Sequence, residues 1–175
     1  MSRRILLFLL ASFLLGCSDM KIEQFSNTEP KLVLEEYFSG QTKAFGILLG
    51  RNGAVKRQFV VDLEGSWNGS VLTLREDFLW SDGEKQQRVW TVKKIDEHTY
   101  EGTAPDVVGT ARGRQFGSAL RWSYVLRVPV GSSTYDITFD DWMYLGPDGV
   151  LINRAVMTKL GFRVGELVLS FKRAG

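Results

Sequence analysis

From Thr42 onward, apolar and polar residues alternate with a period of two, and turn-forming residues interrupt the alternation every eight to twelve positions. This is the pattern of short, half-buried antiparallel strands, and no stretch of twelve or more residues carries a helical apolar period. The segments that qualify as strands are 42–49, 55–64, 70–80, 84–94, 99–104, 107–115, 118–128, 134–145, 150–157 and 164–173. Between them stand breaks such as Arg51-Asn52-Gly53, Asn68-Gly69, Asp82-Gly83, Pro105, Gly117 and Gly131-Ser132-Ser133. So many consecutive strands form a meander, which hides its open edges most simply by closing on itself. The sequence therefore predicts an all-β protein, an antiparallel up-and-down barrel of about 8 to 10 strands. Residues 31–39 are ambiguous, because Glu35-Glu36 between Leu34 and Tyr37 suits either a short helix or an entry strand.

A barrel of this size is either filled by side chains or holds one small ligand, so the inward rows matter most. Alternation groups Val55, Phe59, Val61 and Leu63 with Arg57, then Leu72, Leu74, Phe78 and Trp80 with Glu76, then Trp90 and Val92 with Arg88. A two-residue Asp82-Gly83 turn would oppose Arg88 to Asp77 and turn Trp90 away from Leu74. A three-residue loop, Ser81-Asp82-Gly83 with a left-handed Gly83, instead pairs Glu76 with Arg88 and Leu74 with Trp90. Leu120, Trp122, Tyr124, Leu126 and Val128 form one unbroken apolar row, and Leu167, Leu169 and Phe171 another. The small residues Val107, Gly109, Ala111 and Gly113 point to a strand crowded by its neighbour, or to a bend in the wall.

The segments 135–145 and 150–157 flank Gly146-Pro147-Asp148-Gly149, which reads as a hairpin turn. Pairing Leu145 with Val150 sets Asp141 opposite Arg154, among Phe139, Met143, Ile152 and Val156. It also turns Trp142, Tyr144 and Leu151 outward, as a patch for a docked N-terminal segment, an envelope protein partner or membrane contact. The expected interior then holds Arg57, Glu76, Arg88, Asp141 and Arg154, and buried charges of this kind persist only when matched. Asp141 and Arg154 are either an ion pair that fixes the register or a site where the Arg holds an anionic head group. Arg57 is either the spare guanidinium that meets a carboxylate or phosphate, or a solvated residue near the barrel mouth. With Trp90, Trp122 and Tyr124, these charged residues make up the candidate ligand-binding site.

The chain begins with a basic pair, Arg3-Arg4, an apolar run from Ile5 to Leu15, and Leu14-Leu15-Gly16-Cys17. Eleven helical residues reach about 16 Å, half a hydrocarbon core, so the run is a signal segment and not a membrane span. The last four residues resemble a bacterial lipobox, with Leu15 where a smaller residue is commoner. That resemblance implies removal of residues 1–16, a diacylglyceryl thioether on Cys17, and, with Ser18 and not Asp next, sorting to the outer membrane. More than one acyl chain anchors a protein stably without any spanning segment. Residues 17–30 then read as a polar tether and 31–175 as one barrel domain. Loss of Arg3 and Arg4 takes the formal net charge from +2 to zero, leaving no electrostatic footprint for nucleic acid. Cys17 is the only cysteine, so stability must come from the core and not from a disulfide.

Nothing in the chain carries a recognisable catalytic constellation. His98, the only histidine, sits after Asp96-Glu97 in what reads as a solvated hairpin loop. There is no second histidine for a metal site, no nucleophile elbow and no phosphate loop, and no cofactor is expected. Asp140 and Asp141 are strand neighbours facing opposite sides, which excludes a cooperating acid pair.

Five segments, Leu34-Glu35-Glu36-Tyr37-Phe38, Arg57-Gln58-Phe59-Val60-Val61-Asp62, Tyr100-Glu101-Gly102-Thr103-Ala104, Phe139-Asp140-Asp141-Trp142-Met143 and Val150-Leu151-Ile152-Asn153-Arg154, resemble the bacterial lipoproteins grouped as domain of unknown function 3833. The resemblance implies an envelope location and a lipocalin-like or calycin-like barrel, and carries over no activity. The function expected is therefore binding of a lipid-like or amphiphilic ligand inside the barrel of an outer-membrane lipoprotein. The alternative is a filled barrel that serves as a structural or assembly partner of other envelope proteins through Trp142, Tyr144 and Leu151.

Overall fold

The computed structural model describes residues 20–174, so the signal segment and Cys17 lie outside the described residues. Ten strands follow one another, β1 (Gly40–Gly50), β2 (Val55–Trp67), β3 (Val71–Trp80), β4 (Lys85–Lys94), β5 (Thr99–Thr103), β6 (Ala111–Phe116), β7 (Ala119–Val130), β8 (Ser133–Leu145), β9 (Leu151–Lys159) and β10 (Phe162–Arg173). Each pairs antiparallel with the next, and β10 pairs with β1 from Thr42↔Arg173 to Gly50↔Gly165, closing an up-and-down barrel with no free edge. Apolar rows fill the inside, while the outer wall carries cross-strand ion pairs such as Lys43–Asp62, Arg75–Glu64 and Arg127–Asp136.

Residues 34–38 resolve the ambiguity as a helix, α1 (Leu34–Phe38), which plugs one end of the barrel. Phe38 packs edge-on against Phe171, and the Tyr37 hydroxyl donates to the carbonyls of Gly149 and Phe171. Glu35 is buried between Lys94 and the Tyr100 hydroxyl. Burial opposes its charge, yet those two partners hold its carboxyl below the usual range.

The segment expected to be a tether is, from Met20 onward, docked on the outer wall. Ile22–Phe25 forms a 3₁₀ turn whose Ile22 is buried against Ala119 and Trp142, and Phe25 lies against Trp142 and Tyr144. The Thr28 hydroxyl accepts from the Ser118 amide, and the Leu32 amide donates to the Gly117 carbonyl. The outward aromatic pair Trp142 and Tyr144 is thus covered by the chain's own N-terminal segment.

Two registers settle the interior. Across Ser81-Asp82-Gly83 the three-residue loop forms as its charges and apolar rows demand, with Gly83 at φ +87° and Glu76↔Arg88 and Leu74↔Trp90 as neighbours. At the other hairpin the loop is also three residues, Pro147-Asp148-Gly149, with Gly149 at φ +78° and Leu145 opposite Leu151 instead of Val150. One residue of slip moves every side chain of β9 to the other face. Leu151 therefore lies inside, fully buried, and Ile152 outside. Arg154 stands beside Trp142 on the outer wall, not opposite Asp141, and its guanidinium bonds Glu166.

The small residues of β5 and β6 make room for one ring. Trp122 fills the space over Gly102 and Gly113, and a Cβ at Gly102 would come within 2.7 Å of it. At Gly113 it would overlap the indole more closely still. We expect Gly113→Ala to cost about 1–3 kcal/mol, the scale of an overpacked core, as measured by urea unfolding. A variant as stable as the parent would contradict this packing.

Candidate functional site

Between α1 at one end and the ring cluster Phe59, Phe78 and Trp80 towards the other, the barrel holds a cavity of about 110 Å³. Apolar side chains line most of it, among them Leu72, Leu74, Val92, Leu120, Leu169 and Phe171, together with the expected Trp90, Trp122 and Tyr124. Trp90 meets Trp122 and Tyr124 edge-on at ring distances of 5.8 and 5.3 Å, which fixes the three rings against one another.

A polar layer crosses this apolar space at mid-height. Its cation is Arg88, which lies within 3.6 Å of Glu76 through Nη1 and donates from Nε and Nη2 to both oxygens of Asp106 at 2.8–3.0 Å. Burial disfavours the charge, but Glu76 and Asp106 more than offset it and raise the guanidinium further above its ordinary value. Glu76 is pushed up, because its burial outweighs the help from Arg88 and the Trp90 indole N–H.

Asp141 completes the layer and is only 4% exposed. Its Oδ2 accepts from the Asn153 amide nitrogen at 3.2 Å and from the Tyr124 hydroxyl at 3.3 Å. Its Oδ1 has no hydrogen-bond partner, and neither does Oδ1 of Asn153. Burial pushes Asp141 up to about 7, with the Asn153 and Tyr124 bonds only partly opposing it and nearby Asp140 and Glu76 adding to it. Burial and the neighbouring Asp141 also raise Tyr124 well above its ordinary value.

The structure brings together Glu76, Arg88, Asp141, Trp90, Trp122 and Tyr124, and leaves two expected members out. Arg154 is outside, as the register dictates. Arg57 sits at the rim opposite α1, stacked over Trp80 at 4.0 Å and bonded to Asp82 at 2.7 Å and Glu84 at 2.8 Å, so it is not a spare cation facing the cavity. Two residues were missed. Asn153 follows from the corrected register, whereas Asp106 lies in the connection after β5, where no periodic pattern marks the direction of a side chain. The expected surplus of positive charge is thereby inverted, with one guanidinium among Glu76, Asp106 and Asp141.

The chain belongs to the DUF3833 family of proteins of unknown function, which it matches over residues 11–173. The family resemblance seen in the sequence is thus established, and it covers every strand described above. A search of curated proteins finds no match.

The buried acid makes a stability prediction. Raising Asp141 from 3.8 to about 7 on folding means the native state holds this proton more tightly than the unfolded chain does. Its contribution to stability is complete below pH 3.8 and is lost as pH rises to about 7, amounting to roughly 4 kcal/mol. Asp141→Asn removes this titration while keeping an oxygen for Tyr124 and Asn153. We expect the variant to gain about 2–3 kcal/mol on the parent between pH 5 and pH 8, measured by urea unfolding across that range. Parallel pH profiles for the two proteins would contradict the burial of an ionisable Asp141.

Proposed function

We propose that this protein is a lipid-anchored envelope protein whose barrel takes up one small apolar or amphiphilic molecule. The observation that carries the reading is the cavity itself, an apolar space holding a buried polar layer with two unpartnered oxygens. Buried polar atoms are ordinarily hydrogen-bonded, and each one left without a partner costs about 1–3 kcal/mol that a guest can recover. Its volume is below the roughly 300–1,000 Å³ of drug-sized ligand sites, so the guest is compact or inserts only the end of a chain. A closed apolar cavity of this order is known to hold a benzene-sized molecule.

The proposed anchor agrees with the docked N-terminal segment. Met20 lies against Tyr144 on the outer wall, three residues after Cys17, so acylation there keeps this wall within about 11 Å of the lipid surface. Trp142 and Tyr144 pack against Ile22 and Phe25 and Leu151 lies inside, which favours the cavity reading over a protein partner at this patch.

One experiment tests both halves. Protein purified from the envelope of expressing cells is extracted with organic solvent, and the extract is analysed by mass spectrometry beside that of Met143→Trp, which fills the cavity wall. We expect a defined small amphiphile at near-stoichiometric amount with the parent and a loss of at least tenfold with the variant. We also expect Cys17→Ser to release the protein from the membrane fraction while leaving the copurifying molecule in place. Equal extracts from parent and Met143→Trp would contradict the cavity as the binding site, and a membrane-bound Cys17→Ser variant would contradict the anchor.

A further inference from the structure

The charge balance of the cavity says more about a guest than its volume does. The donor groups of the polar layer are turned towards its own acceptors. Arg88 spends Nε and Nη2 on Asp106 and turns Nη1 to Glu76, the Tyr124 hydroxyl and the Asn153 amide nitrogen both donate to Asp141, and the Trp90 indole N–H is directed to Glu76. Asp141 Oδ1 and Asn153 Oδ1 are the unpartnered atoms of this layer, on side chains each only 4% exposed, and both residues line the cavity.

The two oxygens belong to a matched pair of strands. Asn153 on β9 lies opposite Met143 on β8, and Asp141 is the next inward residue along β8, a diagonal neighbour that the Asn153 side chain reaches. The Asn153 nitrogen is held towards Asp141, which leaves the amide oxygen directed elsewhere. An incoming O–H or N–H group satisfies Asn153 Oδ1, and Asp141 Oδ1 in its ionised form, directly. An incoming carboxylate or phosphate brings further acceptor oxygens and a negative charge to a site with three carboxyl groups and one guanidinium, which is bonded to Asp106 and ion-paired with Glu76, so it meets like charge from each carboxyl that is ionised.

We infer, on the reading that the cavity binds an amphiphile, that the buried end of the guest is an uncharged or cationic hydrogen-bond donor, an alcohol or an amine, and not an acid. The specificity thus runs opposite to that of a barrel that holds fatty acids on a free arginine. Asp141 and Asn153 are the residues that select the head group, and the aromatic and aliphatic wall accepts the chain.

The test is a series of probes with one chain and four ends: hexane, 1-hexanol, hexylamine and hexanoate, titrated at pH 7.5 into the purified protein and followed through the emission of Trp90 and Trp122. The expected result is that 1-hexanol and hexylamine bind at least tenfold more tightly than hexanoate, and that hexanoate binds no more tightly than hexane. In Asn153→Leu the advantage of 1-hexanol over hexane shrinks by about tenfold. Asp141→Asn, which conserves shape, loses affinity for hexylamine and retains it for 1-hexanol, so the inference does not depend on one variant folding. Hexanoate binding as tightly as 1-hexanol overturns the inference, as do four equal affinities, and both outcomes leave the cavity as a binding site. Absence of saturable binding by all four probes removes the binding reading itself.

Discussion

One guanidinium holds this barrel together at its thinnest place. β5 and β6 are short, five and six residues, whereas their neighbours β4 and β7 run to ten and twelve. Beyond the Thr91↔Thr103 pair, β4 keeps β3 on one side but has no strand on its β5 side, and the wall there is completed by the connection that follows β5. On one side that connection is stitched to β7 by backbone bonds, Val108 N–H to the Val125 carbonyl and Arg127 N–H to the Asp106 carbonyl. On the β4 side the link is carried by the bidentate Arg88–Asp106 pair, with Glu76 behind it. A buried pair of this kind adds little over a packed apolar pair, but losing one member leaves the other charge stranded at a cost of about 3–5 kcal/mol. The same interaction closes the wall and uses up the cavity's cation.

From that commitment follows the character of the interior. Had Arg88 been free, the barrel would resemble a trap for acids. With Arg88 spent on two carboxylates and Asp141 buried beside Asn153 and Tyr124, the polar layer is rich in acceptors, and its unpartnered atoms are oxygens. The cavity is apolar above and below this layer, which is why the guest proposed for it pairs a short hydrocarbon body with a donor end.

Much of this was legible in the sequence, for identifiable physical reasons. Period-two alternation fixes which faces are apolar, and turn residues punctuate it at regular intervals, so the ten strands and the closed meander could be read directly. The Glu76–Arg88 register could be read because two constraints, charge matching and the Leu74–Trp90 apolar pair, choose the same loop at Ser81-Asp82-Gly83. At Gly146-Pro147-Asp148-Gly149 no such agreement exists. Ile152 and Val156 share a row with Arg154, whereas Leu151 and Met157 share one with Asn153, so both faces of β9 look half apolar and pairing Asp141 with Arg154 misplaces the strand by one residue. Asp106 was out of reach, because a side chain in an irregular connection follows no period and its partner, Arg88, is 18 residues away. Arg57 kept its place at the end of an inward row, yet at a barrel rim a long side chain turns to the nearest carboxylates, here Asp82 and Glu84.

The most direct measurement is a double-mutant cycle on the seam, with Arg88→Met, Asp106→Asn and the pair compared with the parent by urea unfolding at pH 7.5. If the guanidinium and Asp106 together close the wall, the two single variants each lose several kcal/mol and the double variant loses much less than their sum, with a coupling of about 2 kcal/mol or more. Additive losses within about 0.5 kcal/mol would mean that the two side chains act independently and that the barrel is closed by something else.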